Sequence, residues 1–263
     1  MASNRDIKRF AFRLNRQLVK AEKAYQSKIY SELKRQQKEI IKNDGTFESK
    51  LDVILLDMYE GFGVDIFQTQ IEALGTTFKK ERFWLESWRE WIKEFVTKDI
   101  KRTIVNMDDW TVERYNEIKK QIQQTVIEGG LSIPNSEFEK RLFEKTGNGI
   151  FSKSRARTIA RTERAKVANE SKRQSAETWE SETGVELYKE WIHRGAKDPR
   201  TGHEALDGVM IPKDEKFQVI SESGQVEYID YPLAPEVSAE NSINCGCQVV
   251  YVSKNYAERM KNR

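Results

Sequence analysis

Between Ile7 and Leu33 the apolar side chains recur at steps of three and four: Ile7, Phe10, Leu14, Leu18, Ala21, Tyr25, Ile29 and Leu33. That period gathers them on one side of an α-helix. Lys, Arg, Glu and Gln fill the gaps, and no Gly or Pro intervenes before Asn43-Asp44-Gly45, a turn signal. The spacing predicts one helix over about residues 1–42. It is longer than a usual globular helix and so suits packing on a partner or on a second copy of itself. Flanking charges are not arranged as complementary pairs, so nothing marks a dedicated coiled coil.

Further helices are expected at about 47–74, 78–105, 111–128, 135–146 and 152–183. Leu51, Leu55, Met58, Phe62, Ile66, Phe67 and Ile71 supply the apolar side of the 47–74 stretch, and Gly61 and Gly63 weaken its continuity. Thr111 is a candidate cap for the helix that follows Asp108-Asp109. Trp84, Trp88 and Trp91, at steps of four and three, form an aromatic stripe. Such a stripe is either helix–helix core or a partner-docking face.

After Thr183-Gly184 the pattern changes to short β-like pieces at 186–192, 217–220, 226–229 and 247–252. Helices followed by strands predict an α+β fold. A long-helical N-terminal region, 1–150, precedes a small mixed α/β C-terminal domain, 151–263, with a short antiparallel sheet.

Composition excludes several classes. Twelve Phe, nine Tyr and six Trp among 263 residues are too many for a disordered chain. No apolar run approaches the roughly 20 residues that cross a bilayer, so no membrane association is expected. The segment Met1–Asp6 has no apolar run behind it, which predicts a cytoplasmic start. The net charge of +3 divides into +6 over residues 1–185 and −3 over 186–263. Much of the excess lies on Lys153, Arg155, Arg157, Arg161, Arg164, Lys166, Lys172 and Arg173. Such a run either meets phosphates or an acidic partner, or is a solvated helix face. It has no interleaved aromatics, so any DNA binding through it is expected to be sequence-independent and salt-sensitive.

The chemistry-bearing residue types concentrate in 191–247, which holds His193, His203, Cys245 and Cys247. Two cysteines one residue apart make no useful structural staple. Cys245, Cys247 and His203 offer the soft donors that Zn²⁺ accepts in tetrahedral geometry. Gly246 lends the backbone between the thiols freedom, and the fourth ligand is open among Asp198, His193, Asp207 and water. The plainer alternative is two small buried residues before a strand, with His203 capping a loop. A third reading is an enzyme in which His203 and Asp198 or Glu204 form a base and its orienter. No nucleophile elbow, phosphate-binding loop or dinucleotide-binding glycine pattern accompanies them.

The order Arg157-Thr158-Ile159-Ala160-Arg161-Thr162-Glu163, Asn169, Trp191, Asp198-x-Arg200-x-x-His203-x-x-Leu206-Asp207-Gly208, Phe217, Pro232/Pro235 and Asn244-Cys245-x-Cys247 resembles one family. It is similar to the C-terminal domain of the phage Mu F-like minor head proteins, or phage head morphogenesis proteins, over roughly 150–252. The resemblance implies a non-enzymatic minor capsid protein, made in the host cytoplasm and carried inside the head of a tailed phage or prophage. It implies association with the portal protein and with scaffolding protein, contact with the major capsid protein, and a part in DNA packaging or delivery. Asp198, His203, Cys245 and Cys247 match the family's positions and are the candidate zinc ligands. The family often has a basic residue where Gly246 stands, so one positive charge is missing there. The expected portal contact falls on the 1–42 helix or on Trp84, Trp88 and Trp91. The alternative function is a DNA-binding protein of the ejection pathway, holding double-stranded DNA through Arg155, Arg157, Arg161, Arg164, Lys166, Lys172 and Arg173.

Overall fold

The computed structural model describes residues 4–74, 81–128, 133–194 and 199–261. Six helices come first: α1 (Asn4–Lys42), α2 (Leu51–Ala73), α3 (Glu81–Phe95), α4 (Lys101–Glu128), α5 (Asn135–Asn148) and α6 (Lys153–Thr183). Strands and short helices follow: β1 (Leu187–Ile192), α7 (Thr201–Glu204), β2 (Met210–Pro212), β3 (Phe217–Ile220), β4 (Val226–Ile229), α8 (Ala239–Ser242), β5 (Gln248–Ser253) and α9 (Lys254–Lys261). The architecture is α+β, with long helices first and a small antiparallel sheet last.

The helix expected to end near 105 and the one expected to start at 111 are joined. A π-helical stretch, Val96–Ile100, leads directly into α4, which runs unbroken past Asp108-Asp109. Thr111 caps nothing: its hydroxyl donates back to Met107 O (2.6 Å), four residues earlier in the same helix.

The chain divides into two compact units that interleave in sequence, whereas the expected division into 1–150 and 151–263 is sequential. One unit takes Met1–Glu22, Met58–Lys93 and Arg161–Arg263; the other takes Lys23–Asp57 and Glu94–Ala160. In the second unit, the buried Gln37 amide donates to Phe143 O (2.7 Å) and Thr146 Oγ1 (3.0 Å). Buried Glu32 accepts from Lys50 N (2.9 Å) and from Arg35 (2.8 Å), which holds its carboxyl below the ordinary range despite desolvation.

In the first unit, Trp88 is 1% exposed and stacks obliquely on Phe67 and Trp91, with centroids 5.6 and 4.8 Å apart. Gly63 on α2 is what admits it: a Cβ there would lie 2.5 Å from Trp88 Cζ2. Helix α6 presents a face of small residues, Ala165, Ala168, Ser171, Ser175 and Ala176, all buried. The serines satisfy themselves along the helix, Ser171 Oγ donating to Val167 O (2.6 Å) and Ser175 Oγ to Ser171 O (2.7 Å).

The sheet order is β2-β1-β5, antiparallel throughout, with Trp191 opposite Val249 and Glu190 opposite Met210. Strand β1 alternates buried Leu187, Lys189 and Trp191 with half-buried Tyr188, Glu190 and Ile192. Residues 248–252 of β5 are all buried, so both its faces are covered. A separate hairpin pairs β3 with β4, Phe217 opposite Ile229, through a turn that uses Gly224 at φ +84°. Among the described residues, no helix is long and apolar enough to cross a membrane.

Candidate metal centre

The sheet and the loops beside it bring three donor atoms together. His203 sits on α7, and Cys245 and Cys247 immediately precede β5. His203 Nδ1 lies 3.5 Å from Cys245 Sγ and 3.6 Å from Cys247 Sγ, and the three donor atoms all fall within 4.8 Å of one another. Their residues are 2–3% exposed, and both thiols are free.

Packing and hydrogen bonds fix the imidazole. Its ring meets Trp191 edge-on at 5.4 Å, and Trp191 meets Phe217 the same way at 5.3 Å. His203 Nε2 is 3.1 Å from Asn241 Oδ1, while Asn241 Nδ2 donates to Glu227 Oε1 (2.7 Å). The carboxylate fixes the amide orientation, so Asn241 offers an oxygen and Nε2 must carry the proton. Nδ1, the other nitrogen, faces the sulfurs. Gly202, one residue earlier, lets α7 approach β3 of the hairpin: a Cβ there would stand 1.9 Å from Ile220 O.

The cysteine segment is equally constrained. Asn244 takes φ +61°, a left-handed conformation that Asn tolerates, and its N–H donates to Thr162 Oγ1 (2.8 Å). Buried Asn169 on α6 donates to Cys247 O (3.1 Å) and Pro232 O (2.8 Å), and accepts from Val249 N (3.0 Å). Cys247 N–H points to Cys245 Sγ (3.4 Å). The Cys247 thiol and that amide, with His203 beside them, hold the Cys245 pKa well below the ordinary thiol value; Cys247 is correspondingly raised and keeps the proton. A Cβ at Gly246 would meet nothing within 4 Å, so the geometry does not require glycine there. A basic residue would fit at that position.

The cluster opens onto a pocket of about 470 Å³, lined also by Arg161, His193 and Arg200. Arg200 donates to Ile243 O (2.8 Å) and Arg161 to Asn244 Oδ1 (3.2 Å), so both arginines brace the cysteine loop. Of the other candidate ligands, Asp198 lies outside the described residues. Asp207 accepts the backbone N–H of His193 (2.7 Å), stapling the end of β1. Two cysteine sulfurs and one imidazole nitrogen are thus brought together within 4.8 Å of one another. The members that sequence reasoning missed are Asn241, Glu227 and Gly202, of which only the last carries a local signal, a glycine beside the histidine; Asn169 stood in the family pattern without a role.

The basic run does not form one exposed face. Lys172 is fully buried, donating to Gln248 Oε1 and Val249 O (2.9 Å each). Desolvation lowers its pKa well below the ordinary lysine value. Arg164 is buried against Glu22 (2.8 Å). Arg173 pairs with Glu170 and Glu177. In the other unit, Arg155 donates to Thr111 Oγ1 (2.9 Å) and Ile150 O (2.9 Å) and covers the Trp110 ring at 4.6 Å; burial brings its pKa down to about 10. Arg157 is exposed, and Arg161 and Lys166 are half-buried. These placements correct the reading of the run as a phosphate-binding surface: Lys172, Arg164, Arg173 and Arg155 are occupied by internal partners. The aromatic stripe is corrected likewise at Trp88, which is core and offers no surface. Trp91 is half-buried, and the side chain of Trp84 lies outside the described residues.

Residues 114–250 match the family described as phage Mu protein F like protein, more than half of the chain. The chain belongs to that family. The family is one of phage head morphogenesis proteins. The matched segment ends inside β5 and includes every residue of the Cys/His cluster. A relative in Bacillus subtilis (strain 168), the uncharacterized protein YqbB, is 28% identical over 244 residues, covering 85% of this chain and 75% of the relative. No solved structure matches the chain.

Proposed function

We propose that this protein is a minor capsid component that associates with the portal inside the procapsid and aids head assembly, DNA packaging or DNA delivery. The observation that carries the reading is the family match over 114–250. The fold is compatible with it. Long α1, α2, α4 and α6 provide extended helical surface, and such surface suits docking on a large assembly. Scaffolding protein, the major capsid protein and packaged DNA are the further contacts that a position inside the head entails.

Quantitative mass spectrometry on gradient-purified procapsids and virions tests this. A few copies per particle, tracking the portal's abundance, and co-purification with portal are expected. Absence from both kinds of particle would overturn the reading.

A further inference from the structure

We propose that His203 Nδ1, Cys245 Sγ and Cys247 Sγ bind one zinc ion per chain, with the fourth coordination position turned to the pocket. The geometry carries this. With Zn–S near 2.3 Å and Zn–N near 2.05 Å, a tetrahedral site has an S···N edge of about 3.6 Å. The two observed edges are 3.5 and 3.6 Å.

The surroundings are those of a ligand set as well. Metal-bound histidines pass their second N–H to an oxygen acceptor, and here Nε2 faces Asn241 Oδ1 with Glu227 behind it. That relay leaves Nδ1 to the cluster. Two cysteines and one histidine form a donor set selective for zinc over hard cations. The ligands come from α7 and from the lead into β5, so the ion would tie the 199–209 loop to the sheet. The three ligand residues themselves line the 470 Å³ pocket, so among the described residues the remaining tetrahedral corner is open to a solvent molecule or a small anion. Arg161 and Arg200 line that pocket together with Glu222 and Glu240.

The test uses the full chain, purified with reductant and without chelator. Elemental analysis should give one zinc per chain. After chelation, cobalt(II) titration should saturate at one equivalent, with thiolate-to-cobalt charge-transfer absorption and the intense visible bands of a tetrahedral ion. C245S and C247S should each remove about half of the charge-transfer intensity, and H203N should weaken binding. N241L leaves all three ligands in place and should weaken affinity about 10–100-fold. Added azide should shift the visible bands by entering the fourth position. Cysteine variants can misfold, so the metal-stripped wild-type chain provides a measurement without substitution: its melting temperature should fall and recover when zinc is returned. No zinc with no cobalt spectrum would overturn the site. A cobalt spectrum unchanged in H203N would remove the histidine, and one indifferent to azide would mean that the chain itself fills the fourth corner.

Discussion

Gly61 and Gly63 stand two residues apart in the middle of α2, and alanine should act oppositely at the two positions. Gly61 is exposed, and a Cβ there would meet nothing within 4 Å. Alanine is favoured over glycine in a helix interior by about 1 kcal/mol, so G61A should be more stable by about that amount. Gly63 gains the same backbone term. Its Cβ, however, would lie 2.5 Å from Trp88 Cζ2, and 3.2 Å from both Trp88 Cη2 and Val167 Cγ2. An indole that is 1% exposed cannot swing away, and ordinary contact at about 3.5 Å requires it to retreat by about 1 Å. Overpacking of that kind costs about 1–3 kcal/mol. The helix term is common to both variants, so the difference between them isolates the steric cost, about 1–3 kcal/mol in favour of G61A. Urea unfolding followed by tryptophan fluorescence and far-ultraviolet circular dichroism measures the two midpoints. Adding Trp88→Phe, which frees space, should recover part of the loss in G63A and none in G61A, a coupling readable as a double-mutant cycle. Coincident midpoints, or G63A the more stable of the two, would refute the close-packing account of Gly63.

Gly202→Ala forces a Cβ against Ile220 O, a backbone atom with no rotamer to escape into. It should cost at least about 2–3 kcal/mol in urea unfolding and displace His203 from the thiols, which metal affinity reports independently. Tyr231→Phe removes a hydroxyl that donates to buried Glu170; a loss of about 1–3 kcal/mol is expected, and an unchanged midpoint would dismiss that hydrogen bond. Lys172 has a folded-state pKa lowered by desolvation, so the unfolded chain holds a proton there that the folded chain has shed. Stability should therefore rise as pH rises towards the ordinary lysine value, by up to about 1.4 kcal/mol per pH unit from this group. K172M should have a shallower slope than wild type between about pH 7 and pH 9; equal slopes would mean that the buried amine stays charged.

Helical periodicity was legible in the sequence because it is local. The apolar steps from Leu14 to Leu33 describe a side that is buried in the structure at Leu14, Leu18, Ala21, Ile29 and Leu33. The continuity of α4 through Asp108-Asp109 was not legible, because those residues look like the lead into a new helix, and the π-helical stretch at Val96–Ile100 left no signal of its own. Strand β2 was missed because three residues ending in Pro212 leave no alternation to count, and it exists only as a partner to β1. At the site, Cys245, Cys247 and His203 stood out by residue type. Asn241 and Glu227 did not, because their roles arise when the chain returns to the histidine from 38 and 24 residues away.

The basic helix α6 illustrates where composition misleads. Charge is a property of residue type, but burial is a property of angular position. Arg164 and Lys172 are eight residues apart, and Ala165, Ala168 and Ala176 share their buried side. Alanine and serine contribute little to a hydropathy pattern, so the face that packs most closely looks like the face that does not pack at all. A small-residue face lets the backbone of α6 approach its neighbours closely. Long basic side chains on that face must then find carbonyls, amides or carboxylates inside the protein, as Lys172 does at Gln248 and Val249 and Arg164 does at Glu22. Asn169, on the same helix, meets the same requirement at Cys247 and Val249. Of the residues that made α6 resemble a nucleic-acid surface, Lys172 thus fastens it to the strand that follows the cysteines and Arg164 ties it to Glu22. Any contact with DNA along this helix would fall to exposed Lys153 and Arg157 and to half-buried Arg161 and Lys166, and its salt dependence would be set by those few charges.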